Sequence, residues 1–293
     1  MKRYLILLSL LIASLAFMGA DVSHYYGASV PSQPLKTGQT TSYHAGDDGD
    51  LEKGVARSYN ILTTGQHSGT TNITINGKTH ALSNNCVIDE RTGLMWARYV
   101  PDADIGPGNN GELFWDQWTL TDKVDISFDN ASGEIRSGAS QFDTGALCAG
   151  RKFTVTGSTS NDGTYTVSSI TTAAITTVEG VADEAAGDTI SVATVDDLIW
   201  DYSDHANANS LGGYDDWRIP TYIALQTIVD NGTYSPCINV TAFPSAPASF
   251  HWTSTIAPDS AGTYAYVVNF YGGMAYQSPI SKHRRYVRLV RDN

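Results

Sequence analysis

Charged side chains are scarce in this 293-residue sequence, and the basic ones are outnumbered. Asp, Glu, Lys and Arg make up 16% of the residues, with 18 Lys and Arg against 30 Asp and Glu, so the formal net charge is −12. An acidic chain repels phosphate backbones, which excludes nucleic acid as an expected partner. Gly and Tyr are abundant instead, with 27 and 16 residues. This profile is typical of a β-rich extracellular protein with hydrogen-bonding surfaces.

Cysteines and catalytic motifs are also sparse. The three cysteines, Cys86, Cys148 and Cys237, are far apart, and no histidine pair has ligand spacing, so a zinc site is not expected. The sequence has no Gly-x-Ser-x-Gly elbow, no His-Glu-x-x-His and no glycine-rich phosphate loop. We therefore do not expect an enzyme. A hydrolase with two carboxylates stays open, because acids distant in sequence can meet in space.

One long hydrophobic run opens the chain, from Tyr4 to Met18, directly after Met1-Lys2-Arg3. Its basic flank, its length and its small-residue end predict a secretory signal peptide at residues 1–20. The predicted cleavage site follows Ala20. The alternatives are cleavage after Ala16 and a leader that stays uncleaved as an N-terminal anchor. We expect a secreted or cell-surface protein with no membrane span once the leader is removed.

The stretch from Gly212 to Asp230, GGYDDWRIPTYIALQTIVD, predicts a turn, a short strand and a capped helix. The double glycine suits a tight turn, and Thr221 is a good N-cap. Ile223, Leu225, Ile228 and Val229 form the apolar face of the predicted helix. We interpret Asp215, Asp216 and Arg218 as a local ion-pair and turn network.

GGYDDWRIPT resembles the signature of the bacterial domain at the C-terminus of Legionella collagen-like adhesins (DUF1566). Three other stretches resemble the family in the same order: 37–56, IDERTGLMWAR at 88–98, and the tail from HWTST at 251–255 through YVVNF at 266–270 to YVRLVR at 286–291. The resemblance implies an α+β fold with a C-type-lectin-like domain, in which two short helices pack on small antiparallel sheets. In the family pattern the first helix begins near Trp115.

The composition changes between residues 123 and 195, where Thr, Ser, Gly, Val and Ile dominate without helical periodicity. The alternation on both sides of Asn161-Asp162-Gly163 predicts a β-hairpin. The segment resembles small β modules of phage-tail-like and bacterial surface proteins, and we interpret it as an inserted β domain. The predicted organisation is a signal peptide (1–20), a polar N-terminal segment (21–60), a first lectin-like part (61–122), the β insert (123–195) and a second lectin-like part (196–293).

The resemblance also bears on the cysteines. Cys86 and Cys237 both fall in the lectin-like part, so we predict a disulfide between them and leave Cys148 free or partnered elsewhere. Lectin-like folds also host formylglycine-generating oxidases, which need closely placed cysteines that this spacing does not offer.

The acidic loop at 46–51 is a candidate calcium site. Asp47, Asp48 and Asp50 are carboxylates on a glycine-containing loop, which suits a hard cation. The downstream glutamate of an EF-hand loop is missing, and an acidic surface turn is the alternative. No other cofactor is expected.

The C-terminal part carries the candidate ligand site. We predict two strands, 263–270 and 286–290, joined by a loop rich in Tyr, Gln, Ser, His and Arg. Tyrosine provides large contact areas at low entropic cost, and the resemblance places ligands here. The predicted binding residues are Tyr264, Asn269, Tyr271, Tyr276, Gln277, Ser278, His283 and Arg285. The alternative is an ordinary solvated surface.

Basic residues cluster near the end of the chain: Lys282, His283, Arg284, Arg285, Arg288 and Arg291. Collagen-like adhesins of the resembling family bind sulfated polysaccharides, and such a cluster could hold sulfate. Pairing with the protein's own carboxylates is the alternative. The calcium-lectin motifs of animal relatives are missing.

Together these features predict a bacterial binding protein with an extracellular glycan or protein as its ligand. The second hypothesis is a structural subunit of an extracellular appendage or matrix. In that case the β insert would mediate self-association into a homo-oligomer.

Overall fold

The computed structural model describes residues 34–75, 78–101, 111–195, 198–258 and 261–293. The predicted signal peptide at 1–20 lies outside these ranges. Strands account for 37% of the described residues and helices for 11%. The three α-helices found there are short: α1 (Asp48–Leu51), α2 (Ile199–Ala208) and α3 (Tyr222–Thr227). The architecture is therefore mostly β, and the predicted α+β fold with a C-type-lectin-like domain is wrong.

The described strands are β1 (Tyr59–Leu62), β2 (Thr70–Ile75), β3 (Lys78–Ser83), β4 (Cys86–Asp89), β5 (Leu94–Ala97), β6 (Thr119–Lys123), β7 (Ile126–Asp129), β8 (Glu134–Ser137), β9 (Lys152–Thr156), β10 (Gly163–Ile170), β11 (Ala174–Thr177), β12 (Ile190–Val195), β13 (Phe250–Ile256), β14 (Tyr264–Asn269), β15 (Met274–Pro279) and β16 (Val290–Asp292). They form four sheets, in the orders β1-β4-β5-β16, β6-β12-β9-β10-β11-β8-β7, β13-β14-β15 and β2-β3.

No helix begins near Trp115 in the described residues from 111 to 118. Leu113 instead forms an antiparallel bridge with Arg285, and Phe114 forms a parallel bridge with Leu198. The side chains of Leu113 and Phe114 are fully buried. Long-range pairing therefore occupies the stretch where the family pattern implied a helix, which is one reason why the helix content is lower than expected.

The seven-stranded sheet contains the hairpin predicted around Asn161-Asp162-Gly163, and a second hairpin beside it. β9 pairs with β10, with Tyr165 opposite Phe153, and β7 pairs with β8. The connection from β9 to β10 is longer than a two-residue turn, because Asn161 is drawn to Glu184 by a 2.8 Å hydrogen bond from Nδ2 to Oε2. The sheet encloses its own apolar core, which includes Phe128, Phe142 and Phe153.

The chain enters and leaves this sheet at neighbouring points. Besides the bridge between Phe114 and Leu198, Trp118 and Thr194 are paired: Trp118 N donates to Thr194 Oγ1 at 2.9 Å, and Thr194 N donates to Trp118 O at 3.0 Å. An insertion needs this arrangement, since the host chain must resume where it was interrupted. The division into domains nevertheless stays a prediction.

Residues that precede the seven-stranded sheet in the sequence pack with residues that follow it, and together they form two other cores. In the first, Cys86 and Met95 pack with Trp217 and Trp252. In the second, Val87 and Trp96 pack with Leu225 of α3 and with Val268 of β14. Trp96 and Trp252 are completely buried, and truncating such a tryptophan to alanine typically costs about 3–5 kcal/mol.

The helix α3 begins where the sequence predicts. Thr221 Oγ1 accepts a hydrogen bond from the N–H of Ala224 at 3.2 Å, which caps the helix. Leu225, Ile228 and Val229 are buried as expected, but Ile223 is 69% exposed. The helix has only six residues, so its buried face is narrower than the predicted one.

The last sheet differs most from the prediction. After Gly272-Gly273 the chain forms β15, which pairs with β14 from Asn269 opposite Met274 to Tyr264 opposite Pro279. These residues were predicted to be a loop. The segment at 286–290 does not return along β14; its end enters β16, which pairs with β5.

Candidate functional site: the aromatic surface of the last sheet

The turn between β14 and β15 is packed tightly against the loop that follows α3. The Asn269 side chain begins the turn, since its Oδ1 accepts the N–H of Tyr271 at 3.0 Å. Gly273 has φ of 74°, and a Cβ atom there would lie 2.5 Å from Asn231 Oδ1. Any larger residue here would have to displace the Asn231 side chain, and the positive φ also favours glycine.

Two exposed tyrosines meet where the turn and the loop touch. Tyr234 is 66% exposed and Tyr271 is 49% exposed. Their ring centres are 4.7 Å apart and the planes are inclined by 64°, an edge-to-face contact. A hydrogen bond with the Tyr271 side chain raises the pKa of Tyr234 above its ordinary value. The pair therefore presents a fixed aromatic surface to solvent.

A groove of about 390 Å³ lies beside Tyr234. Its polar groups include the Asp230 carboxylate and the Asn239 amide, and its apolar wall includes Pro236 and Val240. Asp230 is the one charged residue that lines it. A concave surface with a few polar groups on an apolar wall is typical of a small-ligand site.

A second aromatic group lies on one face of the last sheet. The rings of Phe250 and Tyr276 are 5.5 Å apart, and the Arg285 guanidinium lies 5.0 Å from the Phe250 ring centre. Burial lowers the pKa of Arg285, which is half-buried. Arg285 Nη1 donates to the carbonyl oxygen of Arg284 at 2.8 Å. Tyr276 is 43% exposed, so it forms the outer edge of this group.

The opposite face of the sheet carries Tyr264 and Gln277. Gln277 stands opposite Tyr266 and Tyr264 opposite Pro279, which puts all four on one side of the sheet. Tyr266 stacks on Tyr222 of α3, with ring centres 5.0 Å apart. Tyr264 is 39% exposed.

The predicted binding residues therefore do not form one patch. Asn269 and Tyr271 lie at the turn, Tyr276 and Arg285 on one face, and Tyr264 and Gln277 on the other. His283 is exposed beyond the sheet, whereas Ser278 is only 3% exposed. Ser278 thus cannot contact a ligand from this surface. The prediction failed here because neighbouring residues of a strand point to opposite faces.

Sequence reasoning missed Tyr234. It lies in Asn231-Gly232-Thr233-Tyr234-Ser235, a polar loop in which a large aromatic residue has no periodic partner. That combination is a usable signal, because an aromatic side chain in such a loop has no local hydrophobic face to join.

The predicted basic cluster is dispersed. Arg288 is buried, and its Nη1 donates to Ala97 O at 2.9 Å and to Arg98 O at 2.6 Å. Arg291 binds Asp216 with two hydrogen bonds, of 2.6 and 3.1 Å. Lys282 forms a 2.9 Å ion pair with Asp143. The polyanion hypothesis is therefore not supported, whereas pairing with the protein's own carboxylates accounts for Lys282 and Arg291.

The acidic loop is a helix start. Asp47 caps α1: its Oδ1 accepts the N–H of Asp50 at 2.9 Å, and its Oδ2 accepts the N–H groups of Tyr43 and His44. The Asp48 carboxylate accepts from Thr37 and that of Asp50 from the Gly46 N–H. Within the described ranges, no group of three or more His, Cys, Asp or Glu residues could hold a metal ion. The calcium hypothesis thus finds no support, and the acidic surface turn describes these residues.

No disulfide joins any two of Cys86, Cys148 and Cys237, all of which the structure describes. Cys86 belongs to the core that contains Trp217 and Trp252, whereas Cys237 belongs to the core around Trp96. The predicted Cys86–Cys237 disulfide is therefore wrong, because the two thiols are buried in different cores. Burial raises the pKa of Cys86 to about 12 and also raises that of Cys237.

The family model of the Lcl C-terminal domain matches residues 85–291. This match covers more than two thirds of the chain, and the chain therefore belongs to the Lcl C-terminal domain family. Membership indicates an adhesin-like protein of the cell surface or the extracellular space, without naming a ligand. The curated proteins include no significant match to the sequence. In the part of the chain that the structure describes, no helix has the length and hydrophobicity of a membrane span.

Proposed function

We propose that this protein is an exported, non-enzymatic binding protein that recognises an extracellular glycan or protein through the aromatic surface around its last hairpin. The observation that carries the proposal is the exposure of large side chains along the last hairpin and on the loop that touches its turn: Tyr234, Tyr264, Tyr271, Met274 and Tyr276.

Exposed apolar surface of this kind is costly unless it has a use. Single exposed hydrophobic residues are normal, but a concentration of them marks an interaction site. Tyrosine suits such a site, because it combines a large contact area with a polar tip and few rotatable bonds. Family membership supports a recognition role, and the proposal needs no metal or cofactor.

A binding screen of the chain without residues 1–20 tests the proposal. The screen uses a glycan array and immobilised surface proteins of host and neighbouring cells, with Tyr271→Ala and Tyr276→Ala as test variants. Tyr43→Ala is the matched control, because Tyr43 is 84% exposed in the N-terminal segment. Saturable binding that one or both test variants reduce and the control retains supports the proposal. Absence of saturable binding, or equal binding by all variants, contradicts it.

The structural-subunit hypothesis rests on a different observation. β6 and β7 are the outer strands of the seven-stranded sheet. Val124, in the connection between them, is 59% exposed, and Val178 is 66% exposed. Outer strands can pair with another chain. Concentration-dependent filaments that Val124→Lys abolishes, in a protein that ignores every glycan and protein probe, would favour this function.

A further inference from the structure

We propose that the groove beside Tyr234 binds an uncharged sugar. The inference rests on the proposed recognition function and specifies its site and ligand class. It moves the site from the residues between Tyr264 and Arg285, where the sequence placed it, to the loop between α3 and β13.

The dimensions and lining of the groove fit a small polar ligand. Its volume of about 390 Å³ falls near the lower end of the roughly 300–1,000 Å³ that is typical of small-ligand pockets. The lining alternates hydroxyl, amide and carboxylate groups with apolar surface, and its residues are Asp230, Thr233, Tyr234, Pro236, Ile238, Asn239, Val240 and Thr241. Sugars present the same alternation of hydroxyl groups and C–H surface.

The polar groups are held by the loop's own hydrogen bonds. Asp230 Oδ1 accepts the N–H of Gly232 at 3.0 Å, which orients the carboxylate. The Thr233 hydroxyl lies 3.1 Å from the carbonyl oxygen of Asp230. Asn239 Oδ1 accepts the N–H groups of Thr241 and Ala242, so its amide NH₂ group is the part that can donate to a ligand. Carboxylate acceptors and amide donors are the groups that hydroxyl-rich ligands require.

Tyr234 supplies the flat wall. Its ring is 66% exposed and is held edge-to-face by Tyr271. The electron-rich face of an aromatic ring attracts the weakly positive C–H groups on one side of a sugar ring, and it buries their apolar surface. The contact with Tyr271 restricts the ring before binding, which reduces the conformational entropy lost on association.

The charge of the groove selects against acidic sugars. No Lys, Arg or His is among its lining residues, and Asp230 is its one charged group. The whole chain carries a formal charge of −12. A sulfate or uronate group would therefore meet repulsion without a compensating cation.

The loop is packed from two sides, which keeps the groove open in one shape. Asn231 N donates to Thr37 O at 2.7 Å. A Cβ at Gly232 would lie 2.0 Å from Gly38 O, and one at Gly273 would lie 2.5 Å from Asn231 Oδ1. Because both positions are glycine, the N-terminal segment packs closely against one side of the loop and the hairpin turn against the other.

Calorimetric and saturation-transfer NMR titrations test the inference on the chain without residues 1–20. The probes are neutral di- and trisaccharides of glucose, galactose, mannose and N-acetylglucosamine, each with its sulfated counterpart. We expect saturable binding of at least one neutral probe and weaker binding of its sulfated form. Tyr234→Ala should weaken binding by at least tenfold, and Asp230→Asn should also weaken it. Tyr43→Ala should change the affinity by less than twofold.

The remaining outcomes overturn the inference in distinguishable ways. Preference for the sulfated probes contradicts the charge argument, and neutral-sugar binding that survives both Tyr234→Ala and Asp230→Asn contradicts the location. Binding of a protein through Tyr276, with no sugar bound, removes the inference but leaves the proposed function. No saturable binding of any sugar or protein removes both. A circular dichroism spectrum of each variant excludes loss of folding as the cause.

Discussion

The guanidinium carbon of Arg151 lies 3.4 Å from the centre of the Phe114 ring. Arg151 immediately precedes β9 of the seven-stranded sheet, whereas Phe114 belongs to the segment that enters it. Both side chains are buried, and Arg151 Nη1 donates to Ala146 O at 2.5 Å. A desolvated cation over an aromatic face contributes about 2 kcal/mol or more. This contact therefore ties the seven-stranded sheet to the rest of the fold.

Replacing Arg151 by Met should weaken that tie. Methionine fills similar space but provides no charge and no donor, so we expect a loss of about 2–4 kcal/mol in the free energy of unfolding. Chemical denaturation gives the loss, and hydrogen exchange at Phe114 shows whether it is local. Arg136→Met is the control, because the Arg136 side chain in β8 is 48% exposed. Equal effects of the two variants would contradict the role assigned to Arg151.

Local sequence signals predicted the elements that depend on near neighbours. Thr221 caps α3 through an N–H three residues away, and the strands that flank Asn161-Asp162-Gly163 pair as alternation predicts. β15 was missed because it is an outer strand with half-exposed residues, so Met274 to Pro279 show no core-facing alternation. The pairing and the register of β15 are set by β14.

The candidate site was even less accessible to sequence reasoning. Tyr234 and Tyr271 are 37 positions apart in the chain, and nothing local to either predicts that their rings meet. The resemblance located the family correctly but supplied the wrong fold class. It could not reveal that Cys86 and Cys237 join separate cores.

The stability of the protein should fall as the pH drops from about 6.5 to 5 because of His251. Complete burial and the charge of Arg288 lower the pKa of His251 to about 3. The unfolded chain binds this proton near pH 6.5 but the folded protein does not, so protonation favours unfolding throughout that window. The unfolded histidine is half protonated at pH 6.5, so the slope rises from about half of 1.4 kcal/mol per pH unit toward that value, and the loss over the window is about 1–2 kcal/mol.

Urea denaturation of the wild type and His251→Phe at both pH values measures this effect. Phenylalanine keeps a ring against Phe270 and Tyr286, whose ring centres lie 4.8 and 5.5 Å from that of His251. The variant should lose the pH slope whatever its absolute stability. His44→Gln, at an exposed position, should keep the slope. A wild-type slope that persists in His251→Phe would contradict the assignment.

A second acid effect should appear below about pH 4, in the seven-stranded sheet. Hydrogen bonds, first of all from the Ala139 N–H, lower the pKa of Asp125, and the Ser137 hydroxyl and the Gln141 amide also donate to its carboxylate. The pKa values of Asp129, Asp143, Asp162 and Glu179 are lowered too. A carboxyl group whose pKa is lower in the folded state than in the unfolded chain stabilises the folded protein at pH values above its unfolded pKa, which is near 4. This stabilisation is lost as the pH falls through the folded-state pKa.

Hydrogen exchange at pH 3 and pH 6 should therefore show early loss of protection at 125–141. Asp125→Asn should reduce the difference between the two pH values in that segment. Asp122→Asn, at an exposed position of the same sheet, should not. Uniform loss of protection along the chain would contradict a local acid effect.

Thiol titration should find three thiols per denatured, unreduced chain, because no disulfide joins any two of the three cysteines in the structure. In the folded protein Cys148 should react first, since Cys86 and Cys237 are only 1% and 3% exposed. Their raised pKa values also keep little reactive thiolate at neutral pH. A count of one thiol in the denatured chain, with a Cys86–Cys237 peptide found by mass spectrometry, would restore the predicted disulfide.

Gly273→Ala should damage the groove by displacing the loop that forms it. Gly273 and Gly262 both have positive φ, 74° and 84°, so alanine is conformationally strained at either position. At Gly262 nothing lies within 4 Å of the added Cβ, whereas at Gly273 it would lie 2.5 Å from Asn231 Oδ1 and 2.9 Å from Val229 Cγ1. The backbone cost, about 1–2 kcal/mol, is thus common to the two variants, and the steric conflict belongs to Gly273→Ala alone.

We expect Gly262→Ala to lower stability without changing NMR signals of Tyr234, and Gly273→Ala to lower stability further and shift those signals. Indistinguishable variants would mean that the turn does not position the loop.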